Sequence, residues 1–255
     1  MRNKFRPKVL TIAGFDPSSG AGLSADLKTF EINSVYGFAT ATAITIQNEN
    51  SFKEVIWTNF GTIKKQIEII FSEHNIEWVK IGLIKDFETL SNIIDYLISL
   101  IPSIKIIWDP ILKSSTNFEF HNSLSVIDNY EILKKLFLIT PNKNELKSIF
   151  LKDYSTESIQ LEIRKNNLCN ILITGGHNES NANDCLITKN FIEYFDGKKF
   201  NKNHKHGSGC VYSSALLSNL AKGIEIRTAC LNAKKYTERF LQSNETKLGY
   251  HENKK

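Results

Sequence analysis

Val9-Leu10-Thr11-Ile12-Ala13-Gly14-Phe15-Asp16-Pro17-Ser18-Ser19-Gly20-Ala21-Gly22-Leu23-Ser24-Ala25-Asp26 is the stretch whose reading decides the fold. Val9 to Ala13 is apolar and β-prone and reads as a buried strand. Small residues and a proline then break the pattern, and small residues let a ligand approach the backbone. From Gly20 to Asn33 the spacing of Leu23, Leu27 and Phe30 predicts a helix. The stretch is therefore a strand, a Gly-rich exit and a helix. The exit matches neither GxGxxG nor GxxxxGK[ST], so the two best-known nucleotide loops are absent. Taken alone it reads more readily as a plain strand–helix turn than as a binding loop.

The same step recurs along the chain. Thr40 to Ile46 reads as the next strand. Phe60, Ile63, Ile67, Ile70 and Phe71 form a helix stripe, followed by a strand at Trp78 to Ile81. Phe87, Leu90, Ile94 and Leu97 form another, followed by a strand at Ile104 to Trp108. Leu136 to Thr140 with Asn142 to Phe150 repeats the unit, and Asn170 to Thr174 adds a strand. Leu186-Ile187-Thr188 and Phe191 to Phe195 read as a weaker strand pair, and helices over 208–222 and 225–243 close the pattern. Alternation with short connections predicts an α/β fold with a mostly parallel sheet covered by helices on both faces. No linker or repeat interrupts it, so a single domain over 1–255 is expected, with frayed tails near 1–7 and 245–255.

Composition bounds the function. The chain has 255 residues, 41% hydrophobic and 23% charged, which is ordinary for a soluble globular protein. Its net charge of +5 is spread over lysines interleaved with Asp and Glu, which argues against a nucleic-acid face. No run approaches the roughly 20 apolar residues of a membrane span, and Val9 to Ala13 is too short for a signal segment. The four cysteines lack CxxC spacing and a histidine cluster, which argues against zinc. Reduced thiols in a cytoplasmic protein are expected.

In open sheets of this kind ligands gather at the carboxyl ends of the strands, where Gly14, Asp16, Gln47, Gly82, Asp109, Asn142 and Gly175 fall. His206-Gly207-Ser208-Gly209-Cys210 leads into a helix whose first backbone N–H groups and dipole form a seat for an anion. A thiol at such a seat is expected to have a lowered pKa; Cys210 reads equally as a small buried apolar residue. Asp109 ends a strand before Pro110, placed for Mg²⁺ or catalysis or as a turn residue. Asn142 and Glu145, three apart at a helix start, read as a cap or as orienting hydrated Mg²⁺. Thr174-Gly175-Gly176-His177 suits nucleotide phosphate or sugar. Asp26 is expected to point along the sheet edge toward a ligand. Gln47 offers donor and acceptor together, as the edge of an aminopyrimidine would require, and by itself it is only a polar strand end.

AGFDPSSGAGLSADLKTF, YGFATATAITIQN, VKIGLI, WDPILKSS, ITPNKNEL, ITGGH and HGSGC, in this order from about Val9 to Phe240, resemble the hydroxymethylpyrimidine/phosphomethylpyrimidine kinases of thiamine biosynthesis. The resemblance implies a three-layer α/β/α ribokinase-like fold. It implies transfer from Mg-ATP to the hydroxymethyl group of 4-amino-5-hydroxymethyl-2-methylpyrimidine, and then to the monophosphate. By the same resemblance Gln47 reads the ring, Gly14 and Asp26 surround the substrate, and Leu83 and Ile111 line the ring pocket. Asp109, Asn142, Glu145, Thr174 and Gly176 serve nucleotide and magnesium, with Asp109 and, through water, Glu145 toward the metal. Gly207, Ser208, Gly209 and Cys210 form the anion hole, with Cys210 at the catalytic position.

Phe15, Ser19, Thr174 and Ser208 depart from the family's Ser or Thr, Gly, Lys and Thr. Pyridoxal kinase activity is the near alternative, and a non-catalytic pyrimidine-binding protein is the alternative from another class. The chain's length leads us to expect no fused DNA-binding or thiamine-phosphate synthase segment; a homodimer stays open.

Overall fold

The computed structural model describes residues 5–113, 120, 130–150, 155–175, 182–198 and 205–252. Strand β1 (Lys8–Phe15) leads into helix α1 (Gly22–Ile32), and strands β2 (Tyr36–Gln47) and β3 (Phe52–Trp57) follow as a hairpin. Helix α2 (Phe60–Phe71), strand β4 (Trp78–Ile81), helix α3 (Phe87–Leu100) and strand β5 (Lys105–Trp108) continue the alternation. Next come helix α4 (Tyr130–Lys135), strand β6 (Leu138–Ile139), helices α5 (Lys143–Phe150) and α6 (Thr156–Asn166), and strand β7 (Asn170–Ile173). Strands β8 (Asp184–Ile187) and β9 (Ile192–Phe195) precede helices α7 (Ser208–Ala221) and α8 (Ile226–Gln242).

The nine strands form one sheet in the order β3-β2-β1-β4-β5-β6-β7-β8-β9. From β2 to β7 every pairing is parallel; β3, β8 and β9 are antiparallel additions at the two edges. The order reverses beside β1, which is the kind of switch point where open sheets bind ligands.

Side chains alternate across the sheet, so each strand feeds two cores. One core packs Leu10, Ile12, Val79, Ile81 and Ile106 against α2 to α6. The other packs Val9, Trp78 and Ile107 against α1, α7 and α8. By the same alternation Thr11 in β1 and Lys80 in β4 face the α1/α7 layer, although neither is apolar. Five helices are capped at their N-termini by side chains that accept first-turn N–H bonds: Asn59 before α2, Asp86 before α3, Asn142 before α5, Ser155 before α6 and Glu225 before α8. Helix α7 differs. Eleven of its fourteen residues are buried, so it runs through the layer with little solvent face.

Three elements go beyond the pattern reading, the six-residue helix α4 among them. Strand β3 is an edge strand with both faces half-open, so it lacks the apolar run that marks its neighbours. Helix α6 buries only Ile159 and Ile163, too thin a stripe to stand out in a polar segment. Strand β6 is two residues long, shorter than the Leu136 to Thr140 run suggests.

Candidate active site

The carboxyl ends of β1, β2, β4 and β5 meet around Gly14. A register shift between Ala13 and Gly14 brings Gly14 opposite Ala43 of β2. A Cβ on Gly14 would lie 3.0 Å from Leu83 Cδ2, so the first loop, Leu83 and β2 are in near contact. Gly82 lies between Ala13 and Ile111 in the same way. Leu83 is held by the Thr42 hydroxyl, which donates to its carbonyl at 2.6 Å. The structure thus brings together Gly14, Leu83 and Ile111. Phe15 is 41% exposed at the end of β1. Ser19 adopts φ +59°, a left-handed conformation that costs about 1–2 kcal/mol for a residue with a Cβ, where the family's glycine would be unstrained.

Gln47 closes β2 at the edge of this region. Its Nε2 donates to Thr45 Oγ1 at 2.9 Å, and the Thr45 hydroxyl donates onward to the Phe15 carbonyl at 2.9 Å. The relay fixes the amide orientation. Gln47 Oε1 is left buried without a hydrogen-bond partner. A buried acceptor without a donor costs roughly 1–3 kcal/mol, and a ligand N–H would relieve it.

The anion seat is built by the turn before α7. Gly207 has φ +73°, and no side chain caps the helix it begins. A Cβ there would meet the Gly20 carbonyl oxygen at 2.1 Å, so only glycine fits. Gly209 faces open space on its Cβ side. The first-turn N–H groups are thereby left for an anion rather than a cap.

Beneath the turn lies a buried charged cluster. Lys80 Nζ is 2.5 Å from Asp26 Oδ1, and both side chains are fully buried. It also donates to the Cys210 carbonyl at 3.4 Å and lies 3.9 Å from Asp109 Oδ2. Asp26 accepts further bonds from the Thr11 hydroxyl at 2.6 Å and the Ser214 hydroxyl at 2.7 Å. This corrects the expectation for Asp26: its carboxylate is spent inside the α1/α7 layer and does not reach toward a ligand. Asp109 is also buried, accepting from Thr140 Oγ1 at 3.2 Å and Ser213 Oγ at 2.9 Å. Burial raises its carboxyl above the usual range, with Lys80 pulling the other way.

Cys210 corrects a second expectation. Burial pushes its thiol up to about 12; Lys80 favours the thiolate, while Asp26 and Asp109 oppose it. The resting residue is a neutral thiol, because the loss of hydration outweighs the pull of Lys80.

Across the sheet, Asn142 and Glu145 form a reciprocal cap. Asn142 Oδ1 accepts from the Asn144 and Glu145 N–H groups at 2.9 and 3.0 Å, and Glu145 Oε2 accepts from the Asn142 N–H at 2.8 Å. Burial, with a contribution from Asp109, raises the Glu145 carboxyl to about 8. Asn142 bridges Thr174, so the β6 and β7 exits form one rim. Gly176 and His177 lie outside the described residues.

A family profile, described as phosphomethylpyrimidine kinase, matches residues 16–254. The chain belongs to the phosphomethylpyrimidine kinase family. A hydroxymethylpyrimidine/phosphomethylpyrimidine kinase from Staphylococcus aureus is 32% identical over 93% of this chain and 89% of its own length. The crystal structure of phosphomethylpyrimidine kinase from Clostridium difficile superposes with TM-score 0.74 at 32% identity, covering 92% of this chain and 99% of that one. An ADP complex of Bacillus subtilis pyridoxal kinase superposes with TM-score 0.78 at 25% identity over 94% and 93% of the two chains. The fold is therefore that of the vitamin kinases, and backbone shape does not separate members of this family from pyridoxal kinases. The chain also matches the bifunctional thiamine biosynthesis protein ThiDN of Methanocaldococcus jannaschii at 36% identity, spanning 56% of that protein's length.

Sequence reasoning names Asp16 and His206 within their motifs but gives neither a role and does not pair them. Asp16 accepts bonds from the Ser18 and Ala21 N–H groups at 2.8 and 2.9 Å, and His206 Nε2 lies 2.7 Å from its Oδ2. The signal was present, since both sit inside motifs, but nothing in a linear pattern shows that residues 190 positions apart touch.

Proposed function

We propose that the chain is a cytoplasmic ATP-dependent kinase that phosphorylates 4-amino-5-hydroxymethyl-2-methylpyrimidine and then its monophosphate. Family membership supports the chemistry, and the unpaired Gln47 Oε1 carries the choice of substrate. The aminopyrimidine has an N–H donor on the ring carbon next to the hydroxymethyl arm. Pyridoxal has a carbonyl there, which would set acceptor against acceptor. Leu83 and Ile111 supply apolar contacts to either ring.

Phosphoryl transfer needs positioning and charge stabilisation more than covalent help. Gly207 to Cys210 would offer backbone N–H groups to the transferring phosphoryl oxygens. Asn142 and Thr174 would border the nucleotide phosphates. Cys210 would take the hydroxyl proton. Its neutral resting thiol would first pass its own proton to solvent water, and Lys80 is the charge that favours the resulting thiolate. A divalent cation fits the donors on this rim: Asp109 and Glu145 are carboxyls that burial pushes toward the neutral acid, and each would be relieved by positive charge. Among the described residues no cluster of three or more metal-ligating side chains exists, which suits Mg²⁺ carried mainly by phosphates and water. Bound there, it would neutralise phosphate charge.

An ADP-release assay comparing the hydroxymethylpyrimidine, its monophosphate and pyridoxal tests the proposal, with mass spectrometry of the products. Mono- and diphosphate products are expected. Faster turnover of pyridoxal than of either pyrimidine would overturn the substrate assignment.

A further inference from the structure

The phosphate-binding turn does not stand alone on its helix. His206, the residue before Gly207, is buried, and its Nε2 lies 2.7 Å from Asp16 Oδ2. Asp16 is 1% exposed and gathers the first loop around itself, through the Ser18 N–H and hydroxyl and the Ala21 N–H. Burial would raise the Asp16 carboxyl, but His206 and Ser18 outweigh it and hold it below the usual range. The ring of His206 fills the place where a Cβ on Gly20 would sit, 2.5 Å from Cδ2. Gly207 then packs onto the Gly20 carbonyl and Ala21. On its other side the His206 N–H donates to the Lys247 carbonyl at 2.9 Å, and Lys205 binds Asn244 Oδ1 at 2.8 Å. The turn is thus held between the first loop and the segment after α8.

We propose that His206 is a positioning residue: through Asp16 it sets the distance between the Gly207–Cys210 turn and the first loop, and hence between the transferring phosphoryl group and the accepting hydroxyl. The argument is geometric. Gly207 has a left-handed backbone that helix propagation from α7 does not dictate, and its Cβ side is closed by Gly20. The first loop leaves β1 after Phe15, one residue beyond Gly14, where the ring pocket begins. One buried contact therefore joins the part of the site that holds the acceptor to the part that stabilises the moving phosphoryl group. This rests on the kinase reading above.

His206→Leu removes the contact with Asp16 and keeps an apolar side chain in the space. A displacement of about 1 Å at a reacting centre costs about 100-fold in rate, so kcat is expected to fall by that factor while KM for ATP changes little. His206→Gln returns a side-chain donor and should recover much of the loss. Leu248→Ala serves as the comparison, because Leu248 also packs on Gly20 but does not touch Asp16 in any described hydrogen bond. Calorimetry adds a readout that loss of stability alone would not move. The Leu variant should bind ADP normally and lose affinity for ADP with aluminium fluoride, a mimic of the transferring phosphoryl group. An unchanged kcat in His206→Leu would overturn the proposal. So would an equal loss in Leu248→Ala at matched melting temperature, or unchanged affinity for the fluoride complex. If the unaltered enzyme turns over none of the three substrates, it is the kinase reading that fails, and fluoride-complex binding still tests the role of His206.

Discussion

Replacing Lys80 with methionine tests the buried cluster directly. The substitution keeps the length of the side chain and removes its charge. In the native protein Asp26 Oδ1 lies 2.5 Å from Lys80 Nζ with both side chains fully buried. After the change Asp26 retains the Thr11 and Ser214 hydroxyls, two neutral donors, and no cation. Breaking one side of a buried ion pair costs about 3–5 kcal/mol, because the remaining charge is left uncompensated. For a protein of this size that corresponds to a fall in Tm of roughly 6–20 °C. Urea denaturation followed by circular dichroism, with the slope compared between proteins, measures it. The double variant Lys80→Met/Asp26→Asn removes both charges and should regain most of the stability, since buried pairs contribute little beyond their own desolvation. A loss below about 1 kcal/mol in the single variant would refute the reasoning, as that is the scale of an exposed pair. A double variant no better than the single would refute it too.

Gln47→Leu removes the unpaired acceptor and should weaken pyrimidine binding by about 1–3 kcal/mol, with ATP binding unchanged; an unchanged pyrimidine KM would take Gln47 out of the site. Cys210→Ala should fold normally and lower turnover by roughly 10²–10⁴, checked by steady-state kinetics. With its thiol raised to about 12, Cys210 should react with iodoacetamide far more slowly at pH 8 than an exposed thiol would, as peptide mass spectrometry can follow. Gly207→Ala forces a Cβ against the Gly20 carbonyl and should cost both stability and kcat, read by thermal melting and ADP release. Asp16 has a folded pKa below its unfolded value, so its contribution to stability is fully present above pH 4 or so and is lost as pH falls through the lower folded value. Asp16→Asn should flatten that acid limb in a melting-temperature series.

The frame was legible because it is periodic. Short β-prone runs at Val9 to Ala13 and Trp78 to Ile81 read as central strands, and the stripes of α2 and α3 repeat at helical spacing. What resisted reading was partnership across long separations. Asp26 looks like a free carboxylate near a loop; only the sheet's alternation, which turns Lys80 toward α1 and α7, shows that it is paired. Cys210 carries the sequence marks of an activated thiol, but α7 lies under a layer of side chains, and burial outweighs the Lys80 charge beside it. The edge strand β3 escaped because an edge has no need of a continuous apolar run.

Helix α7 is buried along almost its whole length between the sheet, α1 and α8. A segment so enclosed has no route to fray by itself, because exposing its amides means opening the core on that side of the sheet. Its amide protons, down to the residues just behind the proposed phosphate seat, should exchange with solvent only when the whole protein unfolds. Heat inactivation should then coincide with global melting and not precede it. The seat would behave as a fixed anvil throughout the catalytic cycle, and the motions that admit substrate and release product would have to arise in other parts of the chain.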